Sequence, residues 1–188
     1  MRRYAFLLLL VLALPVMCIA GPFSRAVMSG ISSSESCASC SVTLDESDNT
    51  GAAGQGLTTW SKGQSFRVST TDPICSIEIV FNASYSGTME VRWGTTANLT
   101  TYEATKSDSF SSVSSHNFVF DDKVAPSADT DIFFSMIKTA GTVQPDRSSS
   151  DTYDCSPGDC KFYYADGADW DMDSSSATDL AFKVYQCD

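Results

Sequence analysis

The sequence predicts an all-β protein, a two-sheet antiparallel β-sandwich preceded by a Ser/Gly-rich segment. Three observations predict it. From Leu57 onward, short runs rich in Val, Ile, Phe, Tyr and Thr alternate with clusters of Ser, Asp, Gly and Pro, the texture of strands joined by turns. No stretch sustains a helical period. Of the 23 acids, 18 are Asp and five are Glu, and Asp favours turns where Glu favours helices.

In chain order, Arg2 and Arg3 precede the apolar run AFLLLLVLALPVM, and CIAG follows it. This is the layout of a secretory signal over residues 1–20, cut after Ala20. The run is shorter than the ~20 apolar residues that a spanning helix needs. Cys18 raises the alternative of lipid attachment, although bulky Met17 stands where lipidation signals want a small residue. Cleavage takes two arginines and no acid, moving the formal charge from −11 to −13. A surface this acidic repels nucleic acid and anionic membranes. The expected location is secreted or extracellular, with the periplasm as a variant. Residues 21–56 read as a loosely ordered entry segment, with SGISSSES and NTGAAGQG flanking the short apolar SVTL. Residues 57–188 read as the β-domain. The whole is one domain of ordinary size with no internal repeat.

The expected strands are LTTW, QSFRV, ICSIEIVF, TMEVRW, HNFVF, DIFFSMI, CKFYY and DLAFKVY. Alternation assigns their faces. Met89, Val91 and Trp93 share one side and Glu90 and Arg92 the other. Leu180, Phe182 and Val184 oppose Lys183 and Tyr185. DIFFSMI is apolar on both sides, as befits a central strand with the core on one side and a loop on the other.

The series QSFRV, ICSIEIVFNASYSGTMEVRWG, DIFFSMI and DLAFKVY resembles the strands of secreted bacterial jelly-roll modules of the choice-of-anchor and carbohydrate-binding-module-like type, over residues 57–186. The resemblance implies a two-sheet jelly roll on an exported protein, with carbohydrate as the favoured ligand class and no catalytic signature. Six cysteines set this chain apart from that pattern.

With Cys18 removed, Cys37, Cys40, Cys75, Cys155, Cys160 and Cys187 form an even set in an oxidising compartment, enough for three disulfides. CASC and CSPGDC favour local bonds, leaving Cys75 and Cys187 to join one strand's start to the last strand's end. Alternation puts those two on opposite faces, so that pairing requires a twist or bulge. A four-thiolate zinc site from the two close pairs conflicts with oxidising export.

Asp169, Asp171 and Asp173 match the first three positions of a calcium loop, but Ser174 and Leu180 occupy its glycine and bidentate-acid positions. The spacing is better explained by the wet face of a strand whose inner face holds Trp170 and Met172. Calcium is therefore the one cofactor the sequence raises. The sole histidine, His116, begins a strand as a surface residue would, and no G-x-S-x-G elbow is present. Trp60, Tyr163, Tyr164 and Trp170, beside turn-rich segments, are the aromatic residues that would stack on a sugar ring. Asn82 and Asn98 head N-x-S/T acceptors that matter only in a eukaryotic secretory route. The expectation is a secreted, non-enzymatic recognition or adhesion module for glycans. Its rival is a structural or assembly protein of an extracellular matrix, appendage or particle, docking through residues 21–56.

Overall fold

A computed structural model describes residues 40–47, 61–148, 160–165, 169–172, 174–176 and 178–187. Cys18, Cys37, Trp60, Cys155 and Asp173 lie outside the described residues, as do the signal segment and most of the Ser/Gly-rich segment. Eight antiparallel strands build the fold. They are β1 (Cys40–Asp45), β2 (Ser61–Phe66), β3 (Ile74–Gly94), β4 (Ala104–Val124), β5 (Ile132–Thr142), β6 (Phe162–Ala165), β7 (Ser174–Ser176) and β8 (Phe182–Cys187). No helix among the described residues is long and apolar enough to cross a membrane.

The all-β, antiparallel expectation is met, with a difference in architecture. The strands make one hydrogen-bonded sheet, ordered β1-β8-β3-β5-β2-β6-β7 with β4 on β3, that curls into an open half-barrel instead of splitting into two sheets. The physical reason is the length of β3 and β4. ICSIEIVF and TMEVRW, read as two strands, are the two halves of the 21-residue β3, because NASYSG between them contains no proline and stays extended through a bulged stretch of the ladder. The equally long β4 pairs β3 from Ile74 to Trp93. That leaves β3's other edge to be shared, and β8 takes residues 74–79 while β5 takes residues 86–94.

The shared edge forces a bend. Register shifts fall between Val80 and Gly87, where bulges increase local twist, and Ser112 on the facing strand takes φ 55°. Gly141 pairs with Gly87 at φ 79°, a backbone state that costs glycine little and other residues more. A Cβ on Gly141 would lie 2.5 Å from the Ser86 carbonyl oxygen. The gap between the two arms is filled by the chain after β5, where Asp146 N–H donates to the Val80 carbonyl and Ala181 N–H to the Asp146 carbonyl.

Curling brings β8 over β5 and β2. The Phe182 ring lies 4.9 Å from Phe134 and 5.9 Å from Phe66. Met89, Val91 and Trp93 are fully buried on this concave side, as are Leu180, Phe182 and Val184, which is the face assignment that alternation predicts. Burial of each such side chain stabilises the fold by about 1.5–3 kcal/mol. SVTL, placed by the sequence in a loosely ordered segment, forms β1 against β8, and Leu44 packs on the core while Val42 faces out.

Candidate functional site

The convex face of the β3/β5/β2/β6 arm carries a second, smaller apolar cluster, and Gly63 explains where it sits. Gly63 pairs with Ser135 on one side and Tyr163 on the other. A Cβ there would meet the Phe134 carbonyl and lie 2.7 Å from the Met172 methyl carbon. The missing side chain is thus the seat for Met172. Met172, Leu99 and Ala165 are buried together, with Tyr163 and Trp170 packed against them, and Phe133 meets the Tyr163 ring edge-on at 5.4 Å.

Backbone bonds tie this cap to the β3–β4 loop. Leu99 N–H donates to the Trp170 carbonyl at 2.8 Å and Met172 N–H to the Ala97 carbonyl at 3.3 Å, and Asn98 and Asp171 form an isolated antiparallel bridge. The Ser61 hydroxyl donates to the Asp169 carbonyl. Residues 97–99 and 169–172 therefore run side by side, and their aromatic neighbours converge on the outward-facing Arg92. The Arg92 guanidinium carbon is 4.0 Å from the Trp170 ring centroid and 4.5 Å from that of Tyr102.

Two hydrogen bonds fix this guanidinium. Nε donates to Glu90 at 2.8 Å and an Nη donates to the Leu99 carbonyl at 3.2 Å. Glu90 also accepts from the Thr105 hydroxyl at 3.2 Å. A guanidinium carries five N–H donors, so those two bonds leave further donors, between two rings of which Tyr102 is 41% exposed. The result is a ledge of flat apolar surface with polar groups at its edge.

No protein-family model matches this chain, and no curated protein matches it in sequence.

Of the aromatic residues chosen from sequence, the ledge and its supporting cluster unite Trp170 and Tyr163. Tyr164 points the other way, on the concave side, with its ring centroid 5.7 Å from the Lys62 ammonium; adjacent residues of a strand face opposite sides. Arg92, Glu90 and Tyr102 were not singled out. The outward pair Glu90 and Arg92 in TMEVRW was the available signal, whereas Tyr102 reaches the ledge only because Leu99 anchors its loop.

Asp169 does local structural work. One of its carboxylate oxygens accepts from the backbone N–H of Trp170 at 2.7 Å and of Asp171 at 3.3 Å, turning the chain so that Trp170 overlies Arg92. His116 is half-buried, its ring stacked at 4.9 Å on Phe110 and edge-on to Phe118 at 4.8 Å, with Asp108 3.5 Å away. The surface position expected for it is thus only partly realised, because β4 turns its ring onto two phenylalanines.

Among the described cysteines, Cys40, Cys75 and Cys187 bring their sulfurs within 4.8 Å of one another. One sulfur makes one disulfide. Cys40 and Cys187 are direct partners across β1 and β8 with a Cα separation of 4.2 Å, close to the ~4.5 Å of a non-hydrogen-bonded antiparallel pair. Cys40 and Cys75 are 7.1 Å apart by Cα, beyond the usual disulfide reach. The Cα separations favour Cys40–Cys187 as the pair within this trio, while Cys37, the expected local partner of Cys40, lies outside the described residues. The expected bulge is present, a register shift between Ile74 and Ser76, and it leaves Ile74, Cys75 and Cys187 all buried.

Proposed function

We propose that this chain is a secreted, non-enzymatic recognition module, and that the ledge of Tyr102, Arg92 and Trp170 receives the apolar face of a sugar ring. The observation that carries the reading is the guanidinium held between two aromatic rings at 4.5 and 4.0 Å, with part of the Tyr102 ring open to solvent. Pyranose rings present C–H faces that pack on aromatic rings, and their hydroxyls take hydrogen bonds from flanking polar groups. The resemblance of the strand series to secreted jelly-roll modules supports the same reading, and a jelly-roll ancestry for the curled sheet belongs to the proposal.

The test is retention of the mature, oxidised protein on a panel of polysaccharides, with calcium and with EDTA. Wild type should be retained on at least one glycan class, and Tyr102→Ala and Trp170→Ala should each weaken retention by about tenfold or more. Unchanged retention in both variants would remove the ledge from the reading. Loss of binding in EDTA would bring calcium to the Asp169 and Asp171 turn.

The assembly reading has one observation in its favour. β1 continues from the Ser/Gly-rich segment and is added at the margin of the sheet, paired to β8 alone among the described strands, which is the geometry of strand donation. Sedimentation of the mature protein separates the two. A stable oligomer that binds no glycan supports assembly.

A further inference from the structure

We infer that the ledge selects neutral, hydroxyl-rich glycans and rejects polyuronates and sulfated glycans, an inference that rests on the glycan-binding reading above. An arginine in a sugar site ordinarily suggests an acidic ligand, because guanidinium and carboxylate match in charge and in forked geometry. Here that match is already taken. Glu90 holds Arg92 Nε at 2.8 Å, and both side chains are largely sheltered, at 18% and 27% exposure. The ion pair is internal to the site, so an entering carboxylate would meet a cation whose charge is already balanced.

The surroundings add the opposite sign. Glu103, next to Tyr102, is exposed, and so are Asp169 and Asp171 on either side of Trp170. The chain as a whole carries a formal charge of −11. A polyanion laid along the ledge would run over these carboxylates, and repulsion of that kind sets partner choice as strongly as attraction does. What Arg92 retains is geometry. Its remaining N–H donors, fixed between two rings, suit the lone pairs of a hydroxyl or ring oxygen, and the open Tyr102 face suits C–H groups.

The two rings also keep Arg92 from swinging away to serve as a mobile counter-ion. Trp170 is fixed by the Leu99 bond and by the Asp169 turn, and the guanidinium is pinned to Glu90 and to the Leu99 carbonyl. The donor set is pre-organised for one orientation of ligand, which limits the entropy lost on binding.

The test compares retention on neutral glucans, xylans and mannans with retention on polygalacturonate, alginate and a sulfated glycan, at about 20 mM and about 500 mM salt. The expected result is retention on a neutral polymer that changes less than about twofold with salt, since no net charge is neutralised on binding. Retention on the acidic polymers should stay at least about tenfold weaker. Neutralising the rim with Glu103→Gln should narrow that gap while leaving neutral binding in place. Salt-sensitive retention on a polyuronate or sulfated glycan, equal to or stronger than on neutral polymers, overturns the selectivity and leaves the glycan reading standing. A natively folded protein retained on no glycan overturns both.

Discussion

Gln64 and Asp179 meet across 2.8 Å with both residues completely buried, the Gln64 amide donating to the carboxylate. The same amide's oxygen accepts from Leu180 N–H at 3.2 Å. One side chain on β2 thus satisfies two polar groups on the segment that enters β8, and it does so inside the fold. Replacing it with leucine, close in size, removes both bonds at once from the buried interior. Gln64→Leu should lose about 1–3 kcal/mol of unfolding free energy, since a buried hydrogen bond contributes about 0.5–1.5 kcal/mol and one to a charged group about 1.5–3. Urea denaturation measures it, and a loss below about 1 kcal/mol would show that the network rearranges.

Lys62, two residues earlier, points to the same concave side between the rings of Phe162 and Tyr164, at 5.6 and 5.7 Å. Burial lowers its pKa below the ordinary lysine value, and the charge of Arg147 lowers it further. Between that lowered value and 10.5 the unfolded chain holds a proton that the folded chain has released. Lys62 therefore contributes a rise in stability with pH across that window. Lys62→Met should flatten the rise while keeping the aromatic packing of the side-chain stem. Denaturation midpoints at a series of pH values up to 10 measure the slope, and identical slopes for both proteins would contradict the assignment.

Tyr185 acts in the opposite sense. Its hydroxyl donates to Glu78 at 2.7 Å, and burial followed by that carboxylate raises its pKa from 10.0 to about 12. The folded state keeps the phenolic proton longer than the unfolded state, so the contribution is complete below pH 10 and disappears as the pH climbs through about 12. Tyr185→Phe should make the alkaline fall in stability shallower over this interval. The ultraviolet titration of wild type should show one tyrosinate forming about two units late, and the variant should lack it.

At Gly63, fold and function meet. Gly63→Ala places a methyl group against the Phe134 carbonyl and the Met172 thioether, so either Met172 leaves its seat or β2 moves. A shifted Met172 carries with it Trp170, two residues earlier in the cap that Leu99 holds. The expected outcome is glycan retention at least about tenfold weaker together with about 1–3 kcal/mol of destabilisation. Pairing Gly63→Ala with Met172→Ala relieves only the thioether contact, and the Phe134 carbonyl still forces β2 to move. That double variant should therefore stay destabilised and weakly retained, because Trp170 also lacks its support.

How far these features were legible differs from one to the next. The inward positions of Trp93 and Phe182 follow from alternation, since a period of two has only two solutions and the apolar set selects one. The continuity of β3 through NASYSG was not legible, because polar residues of moderate strand propensity take whichever state their partner strand imposes. β4 imposes it. Trp170 could be named as a candidate from its turn-rich surroundings, but its contact with Arg92 depends on a loop 70 positions away in chain order, held by the Asn98–Asp171 bridge. Nothing local encodes that meeting. The placing of β1 was illegible for a related reason: SVTL is short and flanked by Ser and Gly, so its addition to β8 is decided by the partner and by the register that sets Cys40 opposite Cys187.

That register has a measurable consequence. A Cys40–Cys187 bond would close a separation of 147 residues, and in the chain-entropy account a loop of that size restricts the unfolded state by about 5 kcal/mol. β1 is a short edge strand, held by its pairing to β8, by Leu44 on the core and by the Asp45–Lys183 ion pair, with Val42 44% exposed. Peptide mapping under non-reducing conditions should recover Cys40 joined to Cys187. The double variant Cys40→Ala with Cys187→Ala should unfold about 2–5 kcal/mol more easily and lose amide protection across residues 40–45 first, while β3 and β5 keep theirs. Recovery of a Cys40–Cys75 peptide instead would move the tether from β8 to the start of β3, and then Cys187→Ala alone should leave the protection of β1 intact.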